Sequence, residues 1–585
     1  MHEWAMLDES TRKLKRESFT DQIVKTILPS GAKKYEEALE QEKRLNRNLK
    51  LRERVAWGAT VLSLVFGLFI FYVSQLNGAT GKDANAASSF AKYRELDAEL
   101  STLREDRAAI NREKNLKTET SVRLENLKFE LGQLNEDIGK LEKDQRGYFD
   151  EGLNFISEAD EYWNRINPFT GRYVKRKNKP NIPYLFSIEL MNARSGESLL
   201  LHYGYPHDPK FVLMNTGPSG VYKNVISPRF VEISETILNG QPVPLELVII
   251  GDQDADKSSG LRSMLKEITE DETDEDVNTQ YTQFKNIWFN LFGTQNGEGR
   301  ELRIQIKNLI NEADMTLNAP FDHYVLSPEA GRASVEIEGG LVITILGPVL
   351  NELEDLHQQM KQKYSRGSNA GGNEIEVLHD ETFTEINIDT AQKQISFDKK
   401  TSTLDHECKV SLNAAQKSIS NEDLPRVDRS ITNRASLVLL FEFKGVSFLF
   451  TGDSDEEQIM KGIDRANISG LSDLGVDLMS IPHLGSEHNV SQDFFERISA
   501  NHYLFSGDGR HDNPSEEAIS SLITARPCDY FTMYFGNRGA KGSDHGERLD
   551  AFFAEETQYK PNYRRGFRAS EKGSVRIDLG EVLNY

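Results

Sequence analysis

Asp252, Asp254 and Asp256 stand on alternate positions directly behind an apolar run, Leu245 to Ile250, and Lys257 follows at once. Three closely spaced carboxylates can hold a hard divalent cation, which lowers the pKa of a bound water and prepares it for hydrolysis. The spacing copies the opening of an EF-hand calcium loop. That loop needs glycine at its sixth position and glutamate at its twelfth, and this chain has Lys257 and Ser263 there. EF-hand binding is therefore not expected, and a magnesium or calcium ion held by the three carboxylates alone is the minority reading. An ammonium beside them repels a dication and offers it no lone pair.

The elements that must position these groups begin at about Pro180, where the texture turns β-rich. LFSIELMN, SLLLHYG, KFVLMNTGPSG and LELVII read as strands bounded by turn residues. The acidic ITEDETDEDVNT and the small-residue SRGSNAGGNE look like insertions. Two cysteines, Cys408 and Cys528, provide neither a disulfide framework nor a CxxC ligand pair, and one bridge between them stays open. No GxSxG elbow, HExxH or P-loop occurs. The formal net charge is -22, and the acidic surplus lies beyond Lys179, so nucleic acid is not expected as a partner.

Val55 to Leu76 carries no charged side chain, and at the helical rise it reaches about 33 Å, enough to cross a hydrocarbon core. A single-pass transmembrane helix over 55–76 is expected, after a charged helical segment at 1–54. Lys43, Arg44, Arg47, Lys50, Arg52 and Arg54 crowd its N-terminal side, which puts the N-terminus in the cytoplasm and the bulk of the chain outside, or in a periplasm.

Beyond a small-residue spacer, apolar positions recur at Tyr93, Leu96, Leu100, Leu103 and Ile110, then at Leu124, Leu127, Leu131, Leu134, Ile138 and Leu141. Spacings of three and four keep one heptad register, interrupted by polar Arg107, Glu113, Lys117 and Thr120. The pattern predicts a coiled-coil stalk over 77–146, one helix from Ala84 to Arg146 of about 90 Å, and a homo-oligomer formed through it. A helix packed on its own domain is the lesser alternative. Residues 147–180 read as a junction that ends in a basic cluster at Arg172, Lys175, Arg176, Lys177 and Lys179, a solvated linker or a site for lipid head groups.

Three further fragments, SLVLLFEFKGVSFLFTGDSDEE, VDLMSIPHLGSEHNVS and YLFSGDGRHDNP, follow the β-rich runs in order, with KNIWFNLFG, GGLVITILGPVLNELEDL and ITNRASLVLLFEF in between or overlapping. Over roughly residues 181 to 535 the chain resembles a metallo-β-lactamase-fold hydrolase, of the branch that includes the hydrolase domain of competence (ComEC-type) DNA-uptake proteins. The resemblance implies an αββα sandwich over 181–585, with two dications bridging a hydroxide at one edge. Position by position the chain departs from that family. Where a loop His-x-His/Asp-x-Asp-His is implied, Asp252 to Lys257 lack both flanking imidazoles. Asn215 replaces the aspartate of the Asp-Gly-Gly turn, and Leu484 follows His483 in the His-His-Gly-Ser motif. Asp453, matching the bridging carboxylate, and His511, matching the His-Gly-Asn-Pro segment, are kept.

Two readings stand for Lys257. It replaces part of the missing metal charge by pairing with Asp256 and Asp453, or it is a solvated lysine on a loop whose aspartates cap the next helix. His202, His207, His323, His357, His379 and His406 read as structural or solvated, while His488 and His545 could stand in for a lost ligand. The expected protein is a membrane-tethered, catalytically degenerate binding or assembly module, with a protein partner and no cofactor. Its alternative is an active hydrolase of phosphoester-like substrates with a rebuilt zinc, manganese or magnesium site drawn from Asp252, Asp254, Asp256, Asp453, His483 and His511.

Overall fold

The computed structural model describes residues 29–114, 121–170, 176, 179–271, 282–284, 286–291, 300–365, 430–468, 474–527, 529–536, 544–556, 563–567 and 574–581. Both cysteines, His379, His406 and most of the two insertions lie outside the described residues. The chain divides into two compact units, one of residues 1–88 and 151–180, the other of residues 89–150 and 181–585.

Helix α1 (Pro29–Lys114) and helix α2 (Ser121–Thr170) each contribute to both units. In the first unit α1 carries the apolar stretch, the one helix among the described residues long and apolar enough to cross a membrane. Its large side chains there, Trp57, Phe66, Phe69 and Phe71 among them, are exposed. Just beyond, Ala79 packs with Ala159, Trp163 and Ile166 of α2. Asp83 accepts from Trp163 Nε1 at 3.1 Å and pairs with Arg176, so the basic cluster's central arginine is spent on an internal ion pair.

Two expectations for the N-terminal third are corrected. The heptads do not run through one helix from Ala84 to Arg146. In the second unit the two helices fold back antiparallel: Gln145 Nε2 donates to Asp97 Oδ1 at 2.7 Å, Arg104 Nη2 to Glu142 Oε1 at 2.9 Å, and Arg123 pairs with Glu113 at 2.7 Å. Leu96, Leu100, Leu127, Leu131 and Ile138 are thereby buried within one chain. Nor is 147–180 a linker throughout, since α2 continues to Thr170. The hairpin docks on the β-rich domain, where the Phe149 ring lies 4.7 Å from Tyr205 and 4.6 Å from His207, and the Tyr93 hydroxyl is 3.1 Å from His207 Nδ1.

That domain is mixed α/β with two eight-stranded sheets. The first is built from β1 (Leu185–Leu190), β2 (Leu199–Tyr205), β3 (Asp208–Met214), β4 (Val243–Ile250), β5 (Thr282–Gln283), β6 (Asn286–Phe289), β7 (Thr316–Leu317) and β16 (Val575–Asp578). Its order is β16-β1-β2-β3-β4-β6-β7, with β5 beside β4. The second takes β8 (Ala333–Ile337), β9 (Leu341–Gly347), β10 (Val438–Phe443), β11 (Val446–Phe450), β12 (Leu474–Ser480), β13 (Ile498–Phe505), β14 (Phe531–Phe535) and β15 (Tyr563–Phe567), paired in sequence order. β3, β4 and β6 run parallel, as do β11 to β15. Helices follow them: α3 (Ser227–Thr236), α4 (Ala255–Asp271) and α5 (Arg300–Glu312), then α6 (Leu350–Ser365), α7 (Ile431–Arg434), α8 (Glu456–Arg465), α9 (Gln492–Arg497), α10 (Glu516–Ala525) and α11 (His545–Glu556).

Strands with both faces buried read as near-continuous apolar runs, and these do. One core, with Ile188, Leu201, Val212, Leu247, Trp288, Ile343, Leu439, Phe448 and Leu478, lies between the two sheets. Two more fill the outer faces, where helices cover the first sheet (Leu213, Val248, Phe230, Leu261, Ile306) and the second (Leu440, Leu449, Ile459, Phe494, Ile519). Each such side chain taken fully from water contributes about 1.5–3 kcal/mol. At one edge the sheets meet, because Leu437 N donates to Gly251 O at 2.7 Å across the ends of β4 and β10. Loops at the carboxyl ends of parallel strands gather there, the usual place for a site in an open α/β sheet.

Candidate functional site

The turn after β3 sets the geometry. Asn215 adopts φ 54°, a left-handed conformation that asparagine tolerates better than most residues. Its Oδ1 accepts from Gly251 N at 2.8 Å, and its Nδ2 donates to Glu197 Oε2 at 3.0 Å, tying β4 to the β1–β2 connection. Next, Thr216 inserts into the first turn of α4. Its Oγ1 donates to the Lys257 carbonyl at 2.9 Å and accepts from Leu261 N at 2.9 Å, replacing a helical bond by two of its own. The approach requires glycine: a Cβ on Gly260 would stand 2.2 Å from the Thr216 carbonyl oxygen, and one on Gly196 would stand 2.0 Å from that of Asp256. Pinned this way, α4 turns Lys257 inward.

Lys257 is wholly buried, and its Nζ lies 3.0 Å from Asp453 Oδ1 and 3.9 Å from Asp256 Oδ2. The solvated lysine read as one alternative from the sequence is therefore excluded. Burial alone would lower its pKa, but Asp453, Asp256, Asp252 and Glu197 outweigh that and hold the ammonium well above the ordinary lysine range. Asp252 is buried. Its Oδ1 accepts from Asp254 N at 2.8 Å, while its Oδ2 has no hydrogen-bond partner among the described residues. Burial, then repulsion from Asp453, drives its carboxyl well above the usual carboxylate range, against the pull of Lys257. Burial likewise raises Glu197, which accepts from Ser506 Oγ at 3.0 Å.

On the other side, in the turns after β11 and β12, His483 Nε2 lies 4.0 Å from Asp453 Oδ2. Its Nδ1 stands 3.1 Å from Asn489 Oδ1 and 3.3 Å from Asn433 Nδ2, and its own φ is 50°. Asn489 Nδ2 also donates to the Asp453 carbonyl at 3.2 Å, so one amide orients both residues.

The structure thus brings Asp252, Asp256, Lys257, Asp453 and His483 together and leaves Asp254 exposed beside them. His511 lies exposed, and no described hydrogen bond or ion pair joins it to the cluster. His488 is half-exposed beside Glu487, and buried His545 lies against Gly509 rather than Lys257. Glu197, Asn433 and Asn489 are the members that the sequence reading passed over. Asn433 and Asn489 lie inside quoted fragments but at positions to which the resemblance assigns no ligand, and Glu197 sits in a connection without a motif, 309 residues from its partner Ser506.

This donor set does not fit a divalent metal. The position facing Asp252, Asp256 and Asp453 is filled by a cation of the protein's own, and among the described residues no group of three His, Cys, Asp or Glu is arranged to hold an ion. What the arrangement can do is neutralise converging carboxylates and hold the ends of two sheets together. Neither a protein-family model nor a curated protein matches the chain.

Proposed function

We propose that residues 181–585 are a metallo-β-lactamase-like αββα domain that has exchanged its metal chemistry for a lysine, and that the chain is a membrane-anchored binding or assembly module. The observation that carries this reading is the buried Lys257 ammonium 3.0 Å from Asp453, amid Asp252, Asp256 and Glu197. A lysine there supplies one positive charge without a Lewis-acidic site or an open coordination position for water, so it keeps the fold's electrostatics and abandons its hydrolysis. The order of the quoted motifs and the two packed mixed sheets support the family; the exposed apolar stretch of α1 supports the anchor. Basic residues before that stretch favour a cytoplasmic N-terminus with the domain outside.

The test is turnover of bis(p-nitrophenyl) phosphate by the full chain in detergent, with zinc, manganese and magnesium supplied in turn. No rate above buffer is expected with any of them. Metal-dependent turnover that disappears in Asp453→Asn would overturn the reading in favour of a rebuilt hydrolase.

A further inference from the structure

Arg107, a polar interruption of the heptads, lines a cavity of about 370 Å³ between the helical hairpin and the turn after α3. Asn111, Lys114, Lys128 and Asn135 of the hairpin share the wall with Asn239, and Glu235 is the one carboxylate among the lining residues. The volume is that of a small-ligand site. Arg107 is only 3% exposed, yet no carboxylate among the described residues pairs with it. Its Nη1 donates to Asn239 Oδ1, and its Nη2 to the Glu235 and Thr236 carbonyls at 3.1 and 3.4 Å. Its Nε has no partner among the described residues. Glu142, the nearby acid, is engaged by Arg104 at 2.9 Å and by Asn239 Nδ2 at 3.2 Å. Burial and the Arg104 charge lower the Arg107 pKa, a cost that an incoming anion would relieve.

We propose that this cavity binds a phosphate-bearing small molecule. A guanidinium, two ammonium groups and three carboxamides offer the charge and donors that phosphate oxygens take. Bound there, the ligand would bridge Lys114 and Lys128 of the hairpin to Asn239 of the β-rich domain. The inference does not depend on the Lys257 site, which shares none of these residues.

Calorimetric titration of the full chain in detergent tests it, with pyrophosphate and ATP as soluble probes and inositol 1-phosphate as a lipid head-group probe. Saturable submillimolar binding of at least one is expected. It should weaken at least about tenfold in the double variant Lys114→Gln, Lys128→Gln, which leaves Arg107 and its carbonyl contacts in place. Gly132→Phe should do the same without changing charge, because Gly132 lines the cavity and a Cβ there meets nothing within 4 Å. Helical circular dichroism should be unchanged in both variants. A response to pyrophosphate or ATP marks a soluble ligand, and a response to inositol 1-phosphate alone marks a head group. Absence of saturable binding for all three probes, or binding unchanged in both variants, overturns the proposal.

Discussion

Two buried charge clusters sit in the same domain and are built differently. On the outer face of the first sheet Glu189 is wholly buried and receives Arg229 bidentately, Nε to Oε1 at 2.9 Å and Nη2 to Oε2 at 3.1 Å. His202 Nε2 stands 3.2 Å from Oε2, and Ser574 Oγ donates to Oε1. None of these side chains leaves a buried polar atom unsatisfied. The Lys257 cluster has excess carboxylate, an Asp252 oxygen with no hydrogen-bond partner among the described residues, and an ammonium that meets Asp453 by charge without an aligned hydrogen bond. A network that serves stability alone is expected to be fully satisfied, since each unpaired buried group costs about 1–3 kcal/mol. Of the two, only the Lys257 cluster leaves buried polar atoms without a hydrogen bond among the described residues.

The largest expected effect breaks the satisfied network. Glu189→Ala strips buried His202 of its carboxylate and Arg229 of its bidentate one, leaving the guanidinium with Glu232, and should cost about 3–4 kcal/mol in thermal or denaturant unfolding. Although burial alone would raise it, bonds from His202, Arg229 and Ser574 bring Glu189 down to about 2. Its contribution is therefore complete above the ordinary glutamate range near 4.5 and is lost as pH falls toward about 2. The melting temperature of the wild type should drop across that window more steeply than that of Glu189→Gln.

Lys257→Ala should cost less, about 2–3 kcal/mol at pH 8, because the abandoned carboxylates can escape by taking up protons. With the carboxyls of Asp252 and Glu197 already raised, the penalty should shrink as pH falls toward 5, the reverse of the Glu189 trend. A penalty independent of pH would place the lysine outside the carboxylates' field. Gly260→Ala should cost about 1–3 kcal/mol by driving the start of α4 off the Thr216 carbonyl. Smallest of all, Lys257→Met combined with Asp453→Asn should stay within about 1.5 kcal/mol of wild type, since a buried pair replaced by groups of similar volume is often neutral. A loss as large as that of Lys257→Ala alone would show that Asp252, Asp256 and Glu197 need the ammonium's charge more than Asp453 does.

The strands and the carboxylate loop were legible because their signals are local: apolar runs ending in turns, and Asp252 to Lys257 following β4 directly. The helical hairpin was not. Two antiparallel helices in one chain need the same heptad spacing as one long helix with a second copy, and no glycine or proline between Lys114 and Ser121 announces the return. Lys257 could be read either as solvated or as paired, and only the Thr216 insertion, which depends on glycine at 260 and an asparagine in φ 54°, turns it inward. Glu197 was invisible for a different reason: a glutamate in Ser-Gly-Glu-Ser has no motif, and its partners Asn215 and Ser506 come from distant segments. β16, which pairs antiparallel with β1 and completes the first sheet, lies beyond the stretch that carried the family resemblance.

The most direct test of the lysine-for-metal exchange is elemental analysis of the full chain purified without chelator and then exposed to zinc, manganese and magnesium in turn. Lys257 at the centre of the carboxylates requires that no ion be retained in stoichiometric amount. Ions retained by the wild type and lost on Asp453→Asn would contradict it, and would make the cluster a working metal site.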